Sequence, residues 1–370
     1  RHNSNGLDSD FIVIAPSAEL KNVGTADVPW HFKYSGNNEP YDNDQHPFLT
    51  WSIYREVDGR FEQLSNSGVK HAFFTINSNC DVDCGGGDIL WLGCEDVYGV
   101  SNNDSTSAMG PRVEIEADSG IWENCGTFFD PEPCSGNQRN FSDGPGQFRL
   151  IANTAELTDD ANDALFLQAW YLIRDDINIF NSMGYRSINP TPNGGGWNMN
   201  AGNTFTNGAA LDNYVDPNNI GENEFTQTVE SGEGQFAVAV KVELLDSGLY
   251  RYNYAVENYE FDPRFIQYRL PMIDNAILTD LVFNDPDQDD ANDWQFEVTE
   301  GQLSITGTVD NEQDWGEMFS FSFTTNLMPK SDEFVIGAAN IDELALPENE
   351  TLRALSLIPD VDKIFEGNFD

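Results

Sequence analysis

The chain is short of basic residues, of histidine and of long apolar runs, and each shortage removes a class of function. Against 63 Asp and Glu it carries 18 Lys and Arg, for a formal net charge of -45. Nucleic-acid binding is driven by basic side chains that neutralise phosphate, so that class is excluded; docking on an anionic membrane is disfavoured for the same reason. No run of about 18 apolar residues occurs, so no spanning helix and no membrane insertion are expected. With 4 histidines in all, a Ser-His-Asp triad would have to use His31, His46 or His71, since His2 sits on a terminus expected to be loose. There is no G-x-S-x-G elbow, no H-E-x-x-H and no phosphate-binding G-x-x-x-x-G-K-[ST]. Among so many acids no carboxylate pair stands out for glycoside hydrolysis.

What is present reads as a folded, two-domain, all-β protein. The 370 residues exceed what one core usually holds, and 39% hydrophobic with 12% aromatic residues is far from the composition of a disordered acidic tail. Period-2 alternation dominates over helical periodicity. In "QFAVAVKVELLDSGLYRYNYAVEN", Phe236, Val238, Val240, Val242 and Leu244 share a face, Asp246-Ser247-Gly248 turns the chain, and Tyr250, Tyr252, Tyr254 and Val256 share a face of the return strand. That is a hairpin with one buried face. "RFIQYRL", "WQFEVT", "GQLSITGTV" and "EMFSFSFTT" follow in the manner of an antiparallel sandwich. In the first half "DFIVIAP", "TWSIYREV", "VKHAFFTI", "RVEIEA" and "QFRLIAN" read as strands, and so does "DALFLQAWYLIRDD" from its aromatic and β-branched enrichment. The expected organisation is an N-terminal β-domain over 1–188, an Asn/Gly-rich linker or loop over 189–225, a C-terminal β-sandwich over 226–350 and a tail over 351–370. The architecture is thus two antiparallel β-sandwich-like domains with long Asn/Gly-rich loops.

Five cysteines, two of them bracketing "CGTFFDPEPC", suggest an oxidising compartment. Cys125 with Cys134 is the expected bridge, and Cys80, Cys84 and Cys94 supply a second. A transition-metal alternative takes His71 with these cysteines, joined by His46 if their strands are neighbours. The spacings between Cys80, Cys84 and Cys94 do not form the paired C-x2-C blocks of structural zinc. Calcium fits the acids better. Asp285, Asp287 and Asp289 alternate, with Asn292 and Asp293 following, and an irregular loop can turn alternate oxygens toward one hard cation. Asp81, Asp83 and Asp88, around a Gly-Gly-Gly run, are a second candidate set. Trp91, Trp122 and Trp197 are candidates for stacking on a sugar ring. The chain starts at Arg1 with no apolar segment like a signal sequence, which fits a processed, exported protein.

The blocks "NVGTADVPW", "QHPFLTWSIYREVDGRFEQL", "VKHAFF", "LGCEDVYG", "MGPRVEIEADSG", "GLYRYNYAVENY" and "DWGEMFSFSF" appear in order between about residue 22 and residue 325. In these blocks the chain resembles a family of secreted bacterial all-β proteins frequent in planctomycetes and related marine lineages. The resemblance implies export and an all-β fold and supplies no reaction. Members often carry a cysteine just before the "NVG" block, where this chain has Lys21, and that loss accounts for an odd cysteine. Many also carry a His/Asp-rich stretch after the Tyr-rich hairpin, where this chain reads "VFNDPDQDDANDW".

The expected function is that of an exported, acidic, calcium-stabilised protein of the cell surface or extracellular space, structural or binding in role. Self-association into a filament or surface layer, and a glycan or cell-surface component as partner, belong to that reading. The alternative is a secreted hydrolase or metalloenzyme acting on extracellular polysaccharide and centred on His46 and His71.

Overall fold

The computed structural model of the chain describes residues 2–3, 10–34, 45–81, 85–144, 146–158, 163–174, 176–194, 196–287, 289–307, 310–339 and 350–362. They form two compact units: residues 1–53 with 65–209, and residues 54–64 with 210–370. The fold is all-β, with antiparallel sheets and only single-turn helical segments.

The first unit contains β1 (Phe11–Ile14), β2 (Ala18–Lys21), β3 (Phe48–Val57), β4 (Arg60–Asn66), β5 (Val69–His71), β6 (Glu95–Tyr98), β7 (Leu150–Asn153), β8 (Ala164–Leu172) and β9 (Met183–Ile188). The hairpin tip between β3 and β4, residues 54–64, groups with the second unit. Its main sheet runs Met109–Gly110, β5, β3, β8, β9, Thr206–Asn207, with β4 paired to β3. β2 pairs with β6, placing Lys21 opposite Glu95. The run 163–176 is a strand over Ala164–Leu172, as its aromatic content predicts. "RVEIEA" is not a strand: Arg112–Glu114 forms a single 3-10 turn. Arg112 is turned inward there, donating to the Ser67 carbonyl and, at 3.4 Å, to Thr50 Oγ1, and these bonds replace a ladder.

The second unit is a sandwich built from β10 (Glu224–Ser231), β11 (Gly234–Leu244), β12 (Tyr250–Asn258), β13 (Arg264–Pro271), β14 (Leu278–Asn284), β15 (Gln295–Thr299), β16 (Gln302–Thr306), β17 (Glu317–Thr325), β18 (Pro329–Ala339) and β19 (Glu350–Pro359). One sheet has the order β10-β11-β12-β17-β14, the other β15-β16-β13-β18-β19. The expected hairpin is β11–β12, with Val240 opposite Tyr254 and a turn in which Gly248 takes φ +80°, a conformation open to glycine at no steric cost. Phe236, Val238, Val240, Tyr252, Tyr254 and Val256 meet Phe265, Tyr268, Leu270, Phe334 and Ile336 across the sandwich, which is the alternation read from the sequence, except that Leu244 at the strand end is exposed.

Both faces of that hairpin are buried, not one. Ala237, Ala239, Asn253 and Glu257 on its other face are 3% exposed or less. Tyr54 and Tyr214 cover it, the first donating to Glu257 Oε1 at 2.8 Å and the second to the Asn253 carbonyl at 3.1 Å. The stretch 189–225 is a small hairpin, Thr191–Asn193 with Gly196–Asn198, then the edge strand Thr206–Asn207 and a buried turn at Leu211–Tyr214. The expected tail is corrected too. Residues 350–359 are β19, paired along its length to β18, because Leu352, Ala354 and Ile358 alternate inward.

Candidate functional site

The first unit gathers the chemistry-bearing side chains in its core. β5 pairs β3 with Phe48 opposite His71, and the chain entering β3 carries His46. His46 Nε2 and His71 Nδ1 lie 2.9 Å apart. The rings are walled in by Trp122, at centroid distances of 5.4 and 4.8 Å, and by Phe48 and Phe129. Exposure falls to 2% at His46 and 0% at His71. Burial pushes the His71 pKa well down, and His46, Lys33 and Lys70 push it the same way, so this imidazole is neutral. A cavity of about 40 Å³ reaches His46 beside Pro47 and Arg174, which is room for little more than water. Among the described residues no third metal ligand joins the two imidazoles.

Sequence reasoning missed the amines around this pair. Lys33 is 1% exposed, donates to the Ser107 carbonyl and sits 4.4 Å from the Phe129 ring centroid. Burial lowers its pKa to about 7. Lys70 lies over the Tyr98 and Phe73 rings, fully buried, and burial holds it well below the usual lysine value even though Asp96 pulls the other way. Alternation in "VKH" predicts Lys70 outside. Instead Val69, Lys70 and His71 are all buried, because β5 is covered on both faces.

The cysteines pair as a staple of surface loops. Cys80 bonds to Cys94 and Cys125 to Cys134, while Cys84, like Asp83, lies outside the described residues. Cys125, Glu132 and Cys134 bring three potential ligand atoms within 4.8 Å of one another, but both sulfurs are spent in the disulfide. Lys21 ion-pairs with Asp81 at 3.4 Å and with Glu95 at 3.9 Å, beside the Cys80–Cys94 bridge. Asp81 is therefore engaged by a cation. The backbone carbonyl of Asp88 accepts from Trp30 N at 2.8 Å. Asp130 fastens the second loop. Burial raises its pKa, but the Ser135 and Gly136 amides, the Ser135 hydroxyl and Arg139 outweigh it and hold the carboxylate below its ordinary range.

In the second unit the acidic loop between β14 and β15 is a ladder of Asx turns. Asp285 Oδ1 accepts from Asp287 N at 3.1 Å, Asp287 Oδ1 from Asp289 N at 2.7 Å and Asp289 Oδ1 from Ala291 N at 3.2 Å. Asn292 Nδ2 donates to Asp287 Oδ2 at 2.9 Å, and Asn311 ties Asp285 to the Asn292 carbonyl. Burial raises Asp285 to about 6 and also lifts Asp293, which faces Asp290, Asp287 and Asp289. Among the described residues no three carboxylates of this loop bring oxygens within 4.8 Å of one another. A multidentate site would need the loop to close further.

The tryptophans separate. Trp122 is 0% exposed and packs on the histidines, so it offers no face to a sugar; Trp91 is 37% exposed and Trp197 half-buried. No known family model matches the chain, and no curated protein is significantly similar to it.

Proposed function

We propose that the protein works outside the cell as an acidic, disulfide-stapled structural or binding protein, stabilised by calcium at the Asp285–Asp293 loop. The observation that carries this reading is the fate of the two candidate chemistries. The imidazoles suited to catalysis are sealed in the core and bonded to each other, whereas Asp287 and Asp289 are exposed and the disulfides close loops. That burial weighs against a hydrolase or metalloenzyme centred on His46 and His71. The two disulfides support an oxidising compartment, and the resemblance to secreted bacterial proteins points the same way. Among the described residues no helix is long and apolar enough to cross a membrane.

Self-association, part of the same proposal, would use a sheet edge. β14 is interrupted by a bulge between Thr279 and Val282, a device that blunts edge pairing. β15, at the edge of the opposite sheet, keeps an unbroken register with β16 and is the better edge.

The test is thermal unfolding in calcium and in chelator. Calcium at a hundredfold its Kd stabilises a folded state by about 2.7 kcal/mol, so the wild-type midpoint rises in calcium. D287N/D289N removes two formal charges from the loop and abolishes that rise. A midpoint indifferent to calcium in the wild type refutes the calcium part.

A further inference from the structure

The outward face of the β15-β16-β13-β18-β19 sheet carries a feature that the acidic composition does not lead one to expect. Arg269, Lys330 and Arg353, three of the 18 basic residues, line one open cavity of about 440 Å³ together with Glu300, Gln302 and Glu333. The register sets the two arginines side by side. Arg269 on β13 is opposite Ser304 on one flank and Val335 on the other, and Val335 is opposite Arg353. Cross-strand partners share a face, so the two arginines flank Val335 with backbones about 10 Å apart.

Two of the three cations are already neutralised. Arg353 pairs with Glu333, and Lys330 pairs with Asp332 at 3.2 Å and Asp362 at 3.0 Å. Arg269 is different. Its Nε is buried without a hydrogen-bond acceptor, and no ion pair to it occurs among the described residues. The side chain is half-buried and lines the open cavity, so the rest of its planar fork of donors suits a carboxylate above other acceptors.

We infer that this groove binds a carboxylated sugar, a uronic acid unit, with the carboxylate on Arg269 and the ring hydroxyls donating to the groove's own acceptors. The mixed lining selects that ligand over an acidic peptide. An acidic peptide has few hydroxyls to offer Glu300, Glu333 and Gln302. A uronate brings one carboxylate per ring and several hydroxyl donors, and its apolar ring face can lie on Pro271 and Val335, which also line the groove. The inference rests on the binding half of the function proposed above.

The test is titration of the whole protein with an oligogalacturonate, a neutral oligogalactan of equal length and acetate, read by the Arg269 Nε–H resonance and by calorimetry. Wild-type protein binds the galacturonate with a shift of that resonance, responds weakly to acetate and ignores the galactan. R269Q, an outward-facing change that leaves the sandwich core intact, weakens binding about tenfold or more, and R269K recovers part of it. Equal responses to galacturonate and galactan, or an unchanged R269Q, overturn the site. An acetate response as strong as the galacturonate response overturns the sugar. Retention of both R269Q and wild type on an immobilised polysaccharide leaves the binding function standing and removes this groove from it. Retention of neither removes both.

Discussion

Replacing Lys33 by Met should make the protein more stable near neutral pH and remove part of its pH dependence. The amine is buried against Phe129, and its pKa falls from an ordinary 10.5 to about 7. In the unfolded chain the amine keeps its proton up to about pH 10. Between those values the unfolded state binds more protons than the folded one, so stability rises with pH. One pKa unit corresponds to about 1.4 kcal/mol, and the folded amine is half neutral at pH 7. Lys33 therefore adds about 2 kcal/mol to stability between about pH 7 and about pH 9. Met has similar length and nothing to deprotonate. The Ser107 carbonyl that loses the Lys33 bond still accepts from Gln138 Nε2 at 3.3 Å. Urea unfolding of wild type and K33M at the two pH values, followed by tryptophan fluorescence, gives a double difference from which all other groups cancel. The variant is expected to be the more stable at the lower pH, with its advantage shrinking by about 2 kcal/mol at the higher. A variant that is less stable at pH 7 and keeps the wild-type slope would mean that Lys33 folds charged and hydrated.

Other changes read out neighbouring parts of the structure. G110A should destabilise by about 1–3 kcal/mol, because a Cβ there would lie 2.9 Å from Phe129 Cε2 and 3.2 Å from His71 Nε2; a denaturant midpoint equal to wild type would show that the histidine pocket is loose. C80S/C94S opens a bridge spanning 14 residues and should cost about 3 kcal/mol, measurable in the same titration. Asp212, raised to about 6 by burial and by Asp216, binds its proton more tightly when folded. Its contribution is favourable at acid pH and is lost as pH rises from about 4 through 6, so D212N should flatten the stability profile in that window.

The β-rich fold was legible because alternation in "QFAVAVKVELL" and "YRYNYAVEN" has a period that only strands satisfy, and its inward set is found packed except for Leu244, which is 60% exposed at the strand end. The second face of that hairpin was not legible. Ala237, Ala239 and Asn253 look like solvent positions until Tyr54 and Tyr214, distant in sequence, fold over them. "RVEIEA" failed as a strand for a related reason: its Arg is a buried donor to Ser67, and side-chain capture is invisible to periodicity. The proximity of His46 and His71 was expected on condition that their strands were neighbours, and β3 and β5 are. That both rings would be sealed by Trp122 and Phe129, over fifty residues later in the chain, carries no local signal. Arg269 likewise reads as one outward residue of "RFIQYRL", and only the pairing of three strands brings it into a groove with Arg353.

The most direct measurement is native mass spectrometry of protein prepared without chelator or reductant, with thiol alkylation in parallel. Two disulfides, one alkylated cysteine and added mass matching calcium are the result that the proposed stapled, calcium-stabilised protein predicts. Thiols that resist alkylation without forming disulfides, together with added zinc or copper mass, would contradict it and return the histidines and cysteines to the centre of a metalloenzyme.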